Sequence, residues 1–141
     1  MIFVVESAAE GGFTARALGA SIFTEGDDLD QLRENVRAFA NRNPEEFVSE
    51  YSEANLAFHK LIIRMSGCAL IAETTENLFP HMRGVRKVTI GQAHRAQRSI
   101  VDHTAIVEAI EKRDPDLAER LVREHTLGLA RHVAEHGEFL N

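Results

Sequence analysis

Hydrophobic residues recur every three or four positions from about residue 28 onward, and this spacing predicts amphipathic helices. The first, helix A, follows an N-cap at Asp27 or Asp28 and ends near Asn41. Helix B begins with Asn43 as its N-cap and Pro44 at its first position, and it runs to about residue 66. Both helices present one apolar face, which indicates that they pack against other helices.

Three further helices are predicted after helix B. Helix C covers about 69–88 and contains Pro80, which lacks a backbone donor and should kink or split it. A polar loop is predicted over 91–97, and Ser99 with Asp102 forms a weak capping box that would start helix D. Asp114 and the proline after it end helix D and cap helix E, so D and E should form a tight antiparallel hairpin.

The segment before residue 27 has a different pattern. β-Branched and aromatic residues form three runs, at 2–5, 13–18 and 21–24, separated by glycine-containing stretches, and this predicts a small antiparallel β-meander. The predicted fold is therefore mainly α, an antiparallel helical bundle (28–141) preceded by an N-terminal β-meander (1–27). The exposed edges of such a meander need covering, so we also expect a homodimer.

Composition narrows the functional classes. The 141 residues carry 16 Lys and Arg against 22 Asp and Glu, a net charge of −6, with no basic run that would bind nucleic acid through this chain alone. The single Cys68 excludes an internal disulfide and a cysteine-rich zinc module. No apolar run approaches the ~20 residues of a membrane span. We therefore expect a cytoplasmic protein without a membrane segment.

Four polar residues lie on apolar helix faces. Asn55 and His59 are four residues apart on helix B and share a face. His103 and His125 each lie eleven residues from Asp114, so the predicted hairpin brings them to the same height. Any one of these histidines alone could be a half-buried side chain bonded to a backbone carbonyl. Together they favour a bound divalent metal, because several unpartnered imidazoles inside a core are costly.

The remaining histidines make weaker candidates. The segment 132–136 matches the H-x-x-E-H pattern of inverted zinc peptidases, in which two histidines hold zinc and a glutamate acts as base. His132, however, lies about 10 Å along the helix from His125, too far to share its ion. His81 and His94 have no partner at ligand spacing, so we expect both to be exposed to solvent.

Several segments resemble the FCD domain, the all-helical effector-binding domain of FadR-type GntR transcription regulators. They are NLAFHKLI at 55–62, MSG at 65–67, SIVDH at 99–103 and IVEAI at 106–110, followed by Asp114, Ala118 and His125. The resemblance covers about 43–138. It implies a divalent metal held inside the bundle by the residues at the matching positions, with a small organic acid completing the coordination. Those positions are Asn55, His59, His103 and His125.

The sequence also departs from that family. Cys68 stands where the family usually has Asn, and the winged helix that reads DNA has no counterpart here, so DNA binding is not implied. The stretch 2–39 resembles instead, more weakly, the start of HicB-like domains. Helix A belongs either to that segment or to the FCD-like part, as the family's own helix before helix B.

Three functions compete on this basis. Three imidazoles and one carboxamide suit zinc or nickel, and the uncompensated charge favours an anionic ligand, which Arg83 or Arg86 of helix C would help to bind. The preferred prediction is a non-enzymatic, metal-dependent sensor of small carboxylates. A metal hydrolase is the first alternative, but no Glu lies one turn from the histidines, and Asp102 is assigned to capping. A HicB-like protein-interaction module is the second.

Overall fold

The structure, a computed structural model, describes residues 2–7, 13–18, 26–90, 92 and 94–136. This part of the chain is mainly helical, as predicted. None of its helices is long and apolar enough to cross a lipid bilayer. The helices are α1 Gly26–Ala40, α2 Val48–Met65, α3 Ala69–Glu76, α4 Phe79–Thr89, α5 Arg95–Glu111 and α6 Pro115–His136, and a 3-10 turn, Pro44–Phe47, precedes α2.

Two apolar clusters hold the bundle together. Helix α1 packs on α2 and α5, α5 packs on α6, and α2 packs on α4. The larger cluster lies where α1, α2 and α5 meet, and the smaller one joins the end of α1 to the starts of α2 and α5. The buried members of the larger cluster are Leu32, Val36, Phe58, Leu61, Ile106 and Val107. The helical faces predicted from the three-and-four spacing are thus the faces that the core buries.

Predicted helix C is two helices. Helix α3 ends at Glu76, Asn77 and Leu78 form a turn, and Pro80 lies within the first turn of α4. A proline is tolerated there because the first turn of a helix makes no use of its N–H group. The split therefore precedes Pro80 by one turn.

The predicted loop over 91–97 extends too far, since Gln92 and His94 are non-helical but 95–97 are helical, and the capping box at Ser99 is wrong. Helix α5 already begins at Arg95, so Ser99 lies inside the helix, where it is buried. Of the polar residues that suggested a loop, Gln97 is exposed on the outer face of this first turn, whereas Arg95 is buried next to fully buried Ala96. Asp102, assigned above to capping, lies two turns into α5 and has another partner.

The α5–α6 hairpin turns where the sequence predicts it. Helix α5 ends at Glu111, and Arg113 adopts a left-handed backbone conformation with φ of 55°. The side chain of Asp114 then accepts a hydrogen bond at 3.0 Å from the backbone N–H of Leu117, which makes Asp114 the N-cap of α6. This turn sets the heights at which residues of the two helices face each other.

Two strands precede the helices. Strand β1, Ile2–Ser7, pairs antiparallel with β2, Phe13–Leu18, and Ile2 lies opposite Leu18. The third run of the predicted meander, 21–24, is outside the described residues. The three-stranded meander is therefore not confirmed, and the division into 1–27 and 28–141 stays a prediction.

The burial of the core predicts that two leucines, Leu32 and Leu70, contribute differently to the free energy of unfolding. Replacing fully buried Leu32 with Ala should lower the free energy of unfolding by about 2–5 kcal/mol, because it removes transfer free energy and leaves a cavity. The same substitution at Leu70, which is 72% exposed, should change it by less than about 0.5 kcal/mol. Urea unfolding followed by circular dichroism measures both values, and equal losses would contradict the assigned core.

Candidate metal and effector site

Three histidines from three helices meet inside the bundle. His59 comes from α2, His103 from α5 and His125 from α6, and one ring nitrogen from each lies within 4.8 Å of the others. The Nε2 atoms of His103 and His125 are 3.3 Å apart. The equal spacing of these two residues from Asp114 thus places them opposite each other across the hairpin.

Asn55 of α2 is connected to this group through Ser99 of α5. It lies one turn before His59 on α2 and is 2% exposed. Its Nδ2 donates a hydrogen bond at 3.2 Å to Oγ of Ser99, and that oxygen lies 3.5 Å from Nε2 of His103. The four residues singled out in the sequence therefore form one connected polar centre.

The ring of His103 is held by packing as well as by polar contacts. Phe58 stacks on it with ring centroids 3.9 Å apart and an interplanar angle of 10°. Phe58 itself belongs to the apolar core and is fully buried. The core therefore sets the orientation of the imidazole.

Asp102 orients His125. Its Oδ2 accepts a hydrogen bond at 2.9 Å from Nδ1 of His125, which assigns the proton of that ring to Nδ1. The lone pair on Nε2 of His125 then faces Nε2 of His103 at 3.3 Å. Sequence reasoning missed this role because Asp102 is on a different face of α5 from His103, and only the position of α6 shows what it contacts.

The two candidate arginines of α4 have different environments. Arg86 is 6% exposed and donates hydrogen bonds to Oδ1 of Asn55 and, at 2.9 Å, to Nε2 of His59. Its Nε is buried without a hydrogen-bond partner among the described residues. Arg83 lies one turn away at the surface and pairs with Glu53. Only Arg86 contacts the polar centre.

Burial keeps the histidine cluster neutral. It lowers the pKa of His59 and of His103 well below their ordinary value, with a further contribution from neighbouring positive charge. Burial also lowers the pKa of His125, although the hydrogen bond to Asp102 opposes this effect. The pKa of Arg86 falls to about 10, again because of burial, so its guanidinium remains charged at neutral pH. The site thus combines neutral nitrogen donors with one buried cation.

An open groove of about 650 Å³ runs between α5 and α6 and reaches this site. His125 and Asp102 form part of its wall, together with Arg95, Arg98 and Arg131. Arg95 is only 8% exposed, and burial lowers its pKa. The sequence interpretation missed Arg95 because it placed this residue in a loop.

The other described histidines lie apart from this cluster. His81 and His94 are exposed, as expected. His132 is 6% exposed, and its Nε2 lies 3.0 Å from Oε1 of Gln92. His132 is therefore not part of the group of possible metal ligands. Among the described residues, that group consists of His59, His103 and His125.

Comparison with known proteins identifies the family. The FCD domain model matches residues 14–128, so the match includes α1 and begins well before residue 43. An HTH-type transcriptional repressor of Escherichia coli, RspR, is 26% identical over 131 residues. An uncharacterized HTH-type transcriptional regulator of Shigella flexneri, YdfH, is similar to the same extent. The alignment covers 93% of this chain and 56% of each relative, so the chain spans about half the length of the curated relatives it matches.

No solved structure matches the chain significantly. The family model nevertheless covers most of the sequence, including His59, His103 and His125. The relatives to which the chain is similar are named as regulators of transcription. The chain therefore belongs to the FCD domain family, the effector-binding domains of GntR-type transcription regulators, which is a family of regulators and not of enzymes.

Proposed function

We propose that this domain binds a divalent metal through Asn55, His59, His103 and His125 and senses a small carboxylate that binds at that metal. The observation that carries the proposal is the meeting of three imidazoles within 4.8 Å, two of them buried (His103 and His125) and one half-buried (His59). Neutral buried imidazoles are expensive to leave without strong partners, and a metal ion satisfies several at once.

The spacing of His103 and His125 suits a transition metal. Two nitrogens that each lie about 2.1 Å from one ion, at ordinary tetrahedral or octahedral angles, are about 3.0–3.4 Å apart. The Nε2 atoms of His103 and His125 are separated by 3.3 Å. An ion bound there would be shared by the two Nε2 atoms. Three imidazoles with one carboxamide oxygen favour zinc or nickel over magnesium or calcium.

The charge of the site favours an anionic effector. The four proposed ligands are neutral, and Arg86 adds a buried positive charge beside them. The unpartnered Nε of Arg86 is a donor that a carboxylate oxygen would satisfy. We therefore assign the carboxylate to the metal and Arg86. The groove between α5 and α6, with Arg95 in its wall, offers a route of access.

Arg83 has a weaker claim to the effector. It pairs with Glu53 at the surface, one turn from Arg86. An ion pair at an exposed position is easily exchanged for water, so it neither blocks nor supports a role in binding. Arg86 is the residue of the two that reaches Asn55 and His59.

Within the described part of the chain, the hydrolase alternative lacks a suitable base, since the cluster of possible metal ligands consists of histidines alone. Asp102 is the carboxylate nearest the cluster in sequence, but it accepts a hydrogen bond from the outer nitrogen of His125 and so orients a ligand. The HicB-like interaction module predicts that a metal has no effect on folding or assembly. In our proposal the domain acts in transcription control together with a DNA-binding segment or partner, and as a homodimer.

Loss of a ligand histidine should abolish metal binding. After loading with zinc and dialysis, wild type should retain about one ion per chain. Replacing His103 or His125 with Ala should remove most of it, whereas the same change at exposed His81 should not. Elemental analysis measures the content, and titration calorimetry with malonate measures anion binding to the loaded domain. Unchanged zinc content in both cluster variants would refute the proposal.

Asp102 should affect zinc affinity by orienting His125. Asp102→Asn removes the acceptor that fixes the proton on Nδ1, so we expect zinc affinity to fall by about 10–100-fold. Asp116→Asn, on an exposed residue in the first turn of α6, is the matched control and should leave the affinity unchanged. Competition with a chromophoric chelator measures both. Equal affinities for the two variants would show that Asp102 does not position a ligand.

The metal-free domain should lose stability in acid. The folded-state pKa values of His59 and His103 lie below the ordinary value of about 6.5, so the unfolded chain binds protons first as the pH falls. The free energy of unfolding should therefore decrease from pH 7.5 to 5.5, by up to about 1.4 kcal/mol per pH unit for each histidine. His103→Gln should flatten this slope, and His81→Gln should not. Denaturant unfolding at several pH values provides the measurement, and identical slopes would contradict burial of a neutral His103.

A further inference from the structure

We propose that Arg86 holds the metal-binding groups of Asn55 and His59 in the metal-free domain, and that a divalent metal must displace its guanidinium. This inference rests on the proposed function. Arg86 donates to Oδ1 of Asn55 and, at 2.9 Å, to Nε2 of His59. Two of the four proposed ligands thus already direct their lone pairs at a cation, and that cation belongs to the protein.

The contact with His59 is incompatible with metal binding by that ring. A neutral imidazole has a single lone pair, and here Nε2 uses it to accept a hydrogen bond from Arg86. A metal at Nε2 needs that lone pair. A metal at Nδ1 requires the ring proton on Nε2, where it would face the N–H groups of Arg86. With either nitrogen as ligand, Arg86 must leave His59.

Charge leads to the same conclusion. Oδ1 of Asn55 has two lone pairs and could in principle accept from Arg86 while it binds a metal. The guanidinium and a divalent ion would then lie a few ångströms apart in a region where Arg86 is 6% exposed and Asn55 is 2% exposed. Like charges repel strongly where water screens them little. The metal and the guanidinium therefore compete for one position.

A displaced guanidinium needs a new acceptor. Even in its present position, Nε of Arg86 is buried without a partner in the described part of the chain. An arginine with a purely structural role would be expected to have its buried donors satisfied. The two oxygens of a carboxylate would serve both the freed guanidinium and the metal. Metal loading thus creates the anion site, and by linkage the anion strengthens metal binding.

The test compares zinc affinity in buffer that contains no carboxylate. Arg86→Met removes the competing cation and keeps an unbranched apolar side chain, so we expect zinc to bind about tenfold or more tightly than to wild type. Arg83→Met, on the exposed arginine of the same helix, is the matched control and should leave the affinity unchanged. Circular dichroism melts establish that the variants fold.

A second readout follows Arg86 in the wild-type domain. Its Nε–H resonance in a ¹⁵N correlation spectrum, identified by its loss in Arg86→Met, should shift when zinc is added. If Arg86→Met does not fold, Arg86→Lys serves instead. Lysine keeps the charge but loses the planar fork, so it should hold the two ligands less well, and zinc affinity should rise about threefold.

The outcomes separate the two proposals. Equal or weaker zinc binding by the Arg86 variant, with an unshifted Nε–H resonance in wild type, would refute the displacement of Arg86 by the metal. It would not refute the metal site itself. Failure of wild type and of both variants to bind zinc would refute both the metal site and the displacement of Arg86. Tighter zinc binding by Arg86→Met but not by Arg83→Met, with a shifted wild-type resonance, supports the displacement of Arg86 by the metal.

Discussion

Three uncharged imidazoles that meet inside a helical bundle are the constraint on which the rest of this structure depends. Each ring has two polar nitrogens, and the fold supplies partners from different helices. Asp102 of α5 serves His125 of α6, and Arg86 of α4 serves His59 of α2. These contacts join four helices at one point, whereas α1 adds mainly apolar packing. The polar centre therefore specifies how the helices are arranged, and the apolar core stabilises the arrangement.

The same constraint connects the fold to the regulatory family. A histidine cluster that is neutral, buried and connected to an arginine has the donors for a metal and the charge for an anion. A hydrolase would additionally need a base directed at a metal-bound water, and the nearby Asp102 faces the outer nitrogen of His125 instead. The arrangement is suited to binding a ligand and changing contacts between helices in response. This agrees with a family whose domains bind effectors.

Sequence reasoning succeeded where a feature depends on spacing along one helix or about one turn. The apolar periodicity locates the core faces, and the position of Asp114 brings His103 and His125 together. It failed where a residue acts across helices. Asp102 has its partner, His125, 23 residues away on α6, and Arg95 lines a groove together with residues of α6. A single-sequence pattern contains no information on such contacts. The start of α5 was missed for a related reason, because the outer face of its first turn is polar enough to imitate a loop.

The central claim is that the polar centre is a metal site. Anomalous diffraction from crystals of the zinc-loaded domain, recorded at the zinc absorption edge, tests it most directly. The account predicts one strong peak about 2.1 Å from a ring nitrogen of each of His59, His103 and His125, with Arg86 turned away from His59. An empty centre with the Arg86 contacts unchanged, or a peak confined to surface side chains, would contradict it.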